Sequence, residues 1–294
     1  MQWFSGLNNF KEHTLSDNIF HINYQNVPLH KDFTLEEIYL EHLSYCNKKF
    51  IEVIYSGGLD SEAIILVCLK NKIPVKARTV KLYFDGLLVN GYDLYHVDQF
   101  CRAYKVEVEY MELDLVKYYM SPIDIDLCTK YGFNRPYASV TCWALGYANG
   151  YAMVGGDYPW PYRENNVWKI KPPTLGVNSY DRFLKDNNLD GIGNMQTHSL
   201  TSLYLFIKTH IETYDDSLFK THNSRYNDFY FEYFKNNFFK KLGLEMSFRF
   251  KQHGFEHLNR YRKYHDDITS DYFKNFPMPK YSATFPDVIT NLLD

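Results

Sequence analysis

A chain of 294 residues, 45% hydrophobic and 23% charged, can build a full core and suits one large domain or one domain with an appendage. Its formal net charge of −3 argues against a general nucleic-acid binder and leaves a local basic patch as the route to such a partner. Its 5 cysteines are scattered without a C-x-x-C pair, no signal peptide opens the chain and no apolar run reaches membrane-spanning length, so the expected compartment is the reducing cytoplasm.

Residues 1–33 read as an N-terminal extension of one or two edge strands and loops, clearest at Ile19-Phe20-His21-Ile22-Asn23-Tyr24. Thr34-Leu35-Glu36-Glu37 is a capping box, in which Thr and Glu satisfy each other's free N–H groups, and it opens a helix through about Tyr45. Phe50, Ile51, Val53, Ile54 and Tyr55 then form an apolar, β-branched run that reads as a buried strand. The run breaks into Ser56-Gly57-Gly58-Leu59-Asp60-Ser61 and resumes from Ala63 to Leu69 as a helix apolar on most of its faces. Such a turn gathers unsatisfied N–H groups at the positive end of a helix dipole, a ready anion site. Gly57 and Gly58 permit a close backbone approach, Ser56 and Ser61 add hydroxyl donors, and Asp60 offers a carboxylate suited to magnesium held against phosphates.

Ile73 to Tyr83 alternates into a second strand, Tyr92 to Tyr104 has helical spacing, and Val106 to Leu113 alternates into a third strand that closes on Asp114. The order β-α-β-α-β implies right-handed crossovers and a mainly parallel sheet with helices on both faces. Pro136 opens a helix over Tyr137 to Asn149, with Gly150 as its stop. Tyr151-Ala152-Met153-Val154 is a fourth strand running into Gly155-Gly156-Asp157. Ligands of open α/β sheets bind at the carboxyl ends of strands, so this turn should face the same cleft as the Ser56 loop.

Tyr158 to Asn194, rich in Pro, Asn, Gly and Trp, reads as a long irregular loop with a short helix near Tyr180 to Leu184. As a lid it would offer the cations Arg163, Lys169 and Lys171 and the flat rings of Trp160 and Trp168; the alternative is a solvated connection. Ser199 to Thr213 is a helix, and the aromatics from Tyr226 to Phe239 are spaced as core or as a subunit contact, which leaves an oligomer open. Arg249, Lys251, His253, His257, Arg260, Arg262 and Lys263 form a basic group suited to phosphates or a carboxylate, or to a solvated face. Asp266 to Asp294 reads as extended wrapping. The chain therefore divides into an extension (1–33), an α/β domain (34–198) and a helical region packed on it (199–294).

The Ser56–Ser61 loop lacks the Gly-Lys-Ser/Thr ending of a Walker-type loop. It resembles the Ser-Gly-Gly-x-Asp-Ser loop of the ATP pyrophosphatase (PP-loop) superfamily, matching at Ser56, Gly57, Gly58, Asp60 and Ser61. The Leu59 form of the loop, the capped helix before the strand and the Gly155-Gly156-Asp157 turn are similar to the synthetase domain of asparagine synthetase. The family turn usually has a Gly-x-Gly spacing and an Asp-Glu pair, from which this chain departs. The resemblance covers Thr34 to Asp157. It implies an α/β fold with a parallel sheet in three α/β/α layers, adenine nucleotide alpha-hydrolase-like and Rossmann-like, followed by a helical, aromatic-rich C-terminal part.

The resemblance further implies ATP and Mg2+, with ATP split to AMP and pyrophosphate as a carboxylate, amide or urea-type oxygen of a small-molecule or nucleotide substrate is activated for attack by an amine or ammonia. In that reading the loop from Ser56 to Ser61 clamps the leaving phosphates, Asp60 and Asp157 hold magnesium, and Val80 and Leu82 wall the adenine through their main chain. Lys169, Lys171 or Lys251 offsets charge on the pyrophosphate. Gln2 stands where glutamine-dependent members begin with a nucleophilic cysteine, so nitrogen is expected from an amine co-substrate or a separate ammonia-donor protein. The rival readings are a tRNA or nucleotide sulfur transferase using Cys128 or Cys142, a base-modification enzyme of the same superfamily, and a non-catalytic ATP sensor or scaffold that would have no need of Asp60.

Overall fold

The computed structural model describes residues 2–16, 19–44, 46, 50–133, 136–156, 158–165, 167–171, 175–213, 224–246 and 280–293. Three N-terminal strands, β1 (Gln2–Ser5), β2 (Lys11–Ser16) and β3 (Ile19–Tyr24), pair antiparallel in sequence order. Helix α1 (Leu35–Ser44) follows, and its capping box forms as the residue pattern dictates: Glu37 N–H donates to Thr34 Oγ1 at 3.2 Å and Thr34 N–H donates to Glu37 Oε2 at 2.7 Å.

The main sheet is built from β4 (Ile51–Ile54), β5 (Val75–Phe84), β7 (Glu107–Asp114), β8 (Tyr151–Val154) and β11 (Gly191–Ile192), with the two-residue β6 (Leu87–Leu88) folded back antiparallel on β5. The other pairings are all parallel, in the spatial order β7-β5-β4-β8-β11. The chain winds outward from β4 through α2 (Leu59–Lys70), β5 and α3 (Gly91–Tyr104) to β7. It then returns through α4 (Leu115–Tyr119), α5 (Pro122–Tyr131) and α6 (Pro136–Leu145) to β8, on the other side of β4. The winding direction thus reverses between β4 and β8.

Strand alternation gives each face its own core. Ile51, Val53, Tyr55, Ala77 and Met153 pack with Ile38 and Leu43 of α1, with α2 and with Val97 of α3. Ala152 and Val154, on the opposite face, pack with Cys128, Cys142 and Phe183. The architecture is therefore three layers, α/β/α. Helix α2 is buried nearly all round, from Leu59 to Cys68 apart from Asp60, because it touches α1, β4, β5 and α9 (Ser224–Phe234). A charged pair lies within the main sheet: Glu52 and Arg78, 2% exposed each, pair across β4 and β5, while Glu52 Oε2 accepts N–H groups of Asn149 and Gly150 at 2.9 and 3.0 Å. Among the described residues no helix is long and apolar enough to cross a membrane.

Several expectations are corrected by the structure. The stretch from Tyr158 to Asn194 is largely ordered: β9 (Trp160–Glu164) and β10 (Val167–Lys171) form a hairpin and α7 (Leu175–Asp186) is a full helix. The hairpin turns at Asn165, whose φ of 52° is a left-handed conformation that Asn tolerates. Helices α4 and α5 follow β7 directly; Asp114 caps α4 by accepting from Val116 and Lys117 N–H, both at 3.1 Å, and Pro122 opens α5 at its first turn. Helix α6 stops at Leu145, short of Asn149. Three strands rather than one or two form at the N-terminus, and β12 (Lys280–Thr284), from the tail read as extended wrapping, joins them parallel to β3. The extension and the C-terminal region thus share one sheet. Helix α8 (Leu200–Thr213) forms as expected, and Phe231, Tyr233, Phe234, Phe238 and Phe239 are core.

Three buried imidazoles bear on how pH acts, two of them near the N-terminal sheet. His13 is fully buried and stacks on Trp3 at 3.8 Å; His42, fully buried, lies 4.9 Å from the His198 ring. Burial, aided by the Lys11 ammonium, pushes His13 down to about 3, and burial with His198 and Lys11 holds His42 well below the ordinary imidazole range. His210, inside an aromatic box, is pushed down to about 4 by burial. These rings stay neutral in the fold but take up a proton below pH 6.5 once the chain unfolds, so their contribution is intact above that pH and is lost as pH falls towards 3 to 4. At pH 5 the loss is about 2 kcal/mol for each such ring. Thermal melts should show a steep fall in Tm between pH 6.5 and 5; a flat profile would contradict the neutral burial of these rings.

Candidate functional site

The reversal between β4 and β8 leaves a crevice at their carboxyl ends, the place where open α/β sheets take ligands. Both glycine turns lie on it, one after each strand. Gly57, with φ of 80°, holds a conformation that L side chains rarely adopt, and a Cβ there would stand 3.1 Å from the Asp93 carbonyl at the start of α3. Gly58 is the residue before α2 and has no side chain to cap it, and the Glu62 N–H donates to Gly58 O at 3.1 Å as the helix begins. Ser56 is exposed at the mouth, whereas Ser61 is 4% exposed and its hydroxyl donates back to Ile54 O at 3.3 Å. Leu59, 8% exposed, belongs to the core beneath.

Asp60, half-buried in the first turn of α2, joins the two turns. Its carboxylate lies against Gly155: a Cβ on that glycine would overlap the carboxyl group and reach 2.8 Å even from Asp60 Cβ. Gly156, with φ of 87°, lies against the side-chain amide of Asn194, which follows β11. Gln196 N–H donates to Gly155 O at 3.2 Å and to Asn194 Oδ1 at 3.1 Å, and Tyr230 Oη donates to Gly156 O at 3.3 Å. Tyr39 donates to Gln196 Oε1 at 3.1 Å, and both Tyr39 and Tyr158 are held above the ordinary phenol range, by burial first and with the Asp60 charge among the further causes. The turn after β8 therefore lies between Asp60, at the end of β4, and Asn194, at the end of β11. Asn194 and Gln196 escaped the sequence reading; the only signal was the Gly193-Asn194 pair at the end of the supposed loop.

Among the described residues, Val80, Leu82 and Lys169 are engaged by other parts of the chain. Leu82 is 4% exposed, its N–H donates to Asn90 Oδ1 at 2.9 Å and its C=O accepts from Val89 N–H at 2.9 Å, while Val80 O accepts from Asn90 Nδ2 at 2.8 Å. Asn90 and the β5–β6 turn thus engage the main-chain groups assigned to adenine. Lys169 is exposed on β10 and pairs with Glu164 across the hairpin. Trp160 and Trp168 meet His210, with ring centroids 4.4 and 6.0 Å away, so they enclose an imidazole of their own chain. Lys171 lies on the backbone of β10, its side chain outside the described residues; Asp157, Lys251 and the whole basic group from Arg249 to Lys263 also lie outside them.

Among the described residues no group of three His, Cys, Asp or Glu side chains is placed to hold a metal ion by itself. The donor set does fit magnesium shared with phosphates: one hard carboxylate, Asp60, beside helix N–H groups that no side chain caps. The cysteines are poor sulfur carriers. Cys128 is 2% exposed, donates to Asp124 Oδ1 at 3.7 Å and has its thiol pushed up by burial and then by Asp124; Cys142 is fully buried with its thiol pushed up as well. Burial also raises Cys46 and Cys68 to about 12 and Cys101 to about 11.

No protein-family model and no curated protein matches the chain. Solved structures similar to it at low level include the following. A predicted subunit of tRNA methyltransferase from Methanocaldococcus jannaschii is 15% identical, over 53% of this chain and 72% of that one, with a TM-score of 0.30. The U34-tRNA thiolase NcsA from Methanococcus maripaludis, solved with its 4Fe-4S cluster, is 12% identical over 88% of this chain and 77% of that one, with a TM-score of 0.31. NMN synthetase from Francisella tularensis is 12% identical over 79% of this chain and 94% of that one, with a TM-score of 0.25. Similarities this distant carry neither activity nor substrate to the present chain.

Proposed function

We propose that this protein is an ATP-using enzyme of the PP-loop type that splits ATP between its α- and β-phosphates and adenylates an oxygen of a small-molecule or nucleotide substrate. The observation that supports this best is Asp60, set against Gly155 so that the Ser56–Ser61 loop and the Gly155-Gly156 turn meet at the reversal point of the sheet. In this reading the N–H groups of the loop and of the first turn of α2 hold the β- and γ-phosphates, with Ser56 at the mouth. Asp60, with Asp157, would hold magnesium, which when bound neutralises phosphate charge. A substrate oxygen attacks the α-phosphorus; the α–β phosphoanhydride bond breaks and pyrophosphate leaves with the electron pair. An amine or ammonia then adds to the activated carbon and AMP departs. The chain's part is to position the reacting groups and hold charge.

Asparagine-synthetase-like amide formation is the form carried by the sequence resemblance. Sulfur transfer is disfavoured by the chemistry of the cysteines, all of them with thiols raised by burial. Incubation with ATP, magnesium and pooled metabolites, followed by chromatography of the spent nucleotide, should give AMP and pyrophosphate. ADP as the main product would refute the reading, and binding without turnover would favour a sensor.

A further inference from the structure

The segment from Gly193 to His198 forms one wall of the site, yet the N-terminal sheet grips it from behind. Asp181 of α7 is 6% exposed; its Oδ1 accepts the Gly193 N–H at 2.8 Å and its Oδ2 pairs with Lys11 of β2, which is fully buried. Ser5 Oγ adds a longer bond to Oδ2 at 3.4 Å. Burial alone would raise the Asp181 carboxyl; the Lys11 ammonium outweighs that and holds it below its ordinary range. At the far end of the segment Leu7 N–H donates to His198 O at 2.9 Å, and Gly6 packs so closely that a Cβ there would lie 2.8 Å from that oxygen. Gly193 has no room to shift: a Cβ on it would stand 2.6 and 2.7 Å from the Tyr180 carbonyl carbon and Cβ. Between these two grips lie Asn194, against Gly156, and Gln196, on Gly155 O.

We propose that Asp181, neutralised by Lys11, is a positioning residue of the site: it fixes Gly193, and through Asn194 and Gln196 it sets the Gly155-Gly156 turn against which Asp60 rests. The N-terminal sheet is then part of the site's scaffold rather than an appendage. As it concerns nucleotide binding, the inference rests on the reading proposed above.

Two double variants separate positioning from bulk stability. Lys11→Met with Asp181→Asn removes both charges and keeps an acceptor for Gly193 N–H. Lys11→Met with Asp181→Leu removes the acceptor as well. If Asp181 positions the site, the Leu pair should bind MgATP roughly tenfold or more weakly than the Asn pair. Its Tm should fall by only a few degrees relative to the Asn pair, the cost of one unpaired buried N–H, and amide exchange in the peptides covering 150–156 and 191–197 should speed up beyond the rest of the chain. Equal MgATP affinity and equal exchange in the two pairs would overturn the proposal. If the wild-type protein fails to bind MgATP, the nucleotide reading falls, while the exchange comparison still decides whether Asp181 sets the glycine turn. Should the Leu pair not fold, Asn194→Ala breaks the next link, and unchanged exchange over 150–156 in that variant would overturn the proposal equally.

Discussion

Gly155→Ala should cost MgATP roughly 100-fold in affinity, about 2.7 kcal/mol, while leaving the fold in place. The backbone at Gly155 is not in the left-handed region, unlike that of Gly57 or Gly156, so alanine fits its φ without strain. What alanine does not fit is the Asp60 carboxyl, which occupies the space where the Cβ would be. Asp60 must swing away and, because its own Cβ would stand 2.8 Å from the new methyl, the two turns must also part slightly, so the carboxylate at their junction leaves the place where it would meet a phosphate-bound cation. Gly57→Val is a less selective test, because a β-branched residue at φ 80°, close to the Asp93 carbonyl, strains the loop itself. Calorimetric titration of MgATP into Gly155→Ala, with a melt run alongside, measures the effect. Undiminished affinity would remove Asp60 from the site.

The largest loss of stability is expected from Arg78→Met. Arg78 spans three strands, pairing with Glu52 on β4 and donating to Glu109 Oε1 and Oε2 on β7 at 3.1 and 3.0 Å. Methionine fills much of the volume but leaves Glu52 buried with only the Asn149 and Gly150 N–H groups, and an uncompensated buried charge costs about 3–5 kcal/mol. For a chain of this size Tm should fall by on the order of 10 °C. Adding Glu52→Gln to Arg78→Met should recover much of the loss, since the neutral amide can still accept from those N–H groups. A single-variant loss below about 1 kcal/mol in denaturant titration would mean that the pair is more hydrated than its burial indicates.

The parts of this protein that the sequence determined by itself are those whose causes lie within a few residues of one another. Thr34 and Glu37 cap α1 because they are three positions apart, and the Ser56–Ser61 turn forms because an apolar strand, two glycines and a helix start follow directly along the chain. The parallel sheet was legible too, since β-α-β units wind one way. What tertiary structure decided is every contact between segments far apart in the chain. Glu52 finds Arg78, Lys11 finds Asp181 across 170 positions, and Trp160 turns onto His210, removing it from the role of a ligand cover. Asn194, at the end of the expected loop, and Gln196, just beyond it, came against the glycine turn only when β11 paired with β8. Propensity and periodicity register the local chain, whereas a buried charge or amide is stabilised by a partner whose place depends on the whole path between them. For that reason Asp60 could be singled out from its six-residue motif, and the residues that hold it in position could not.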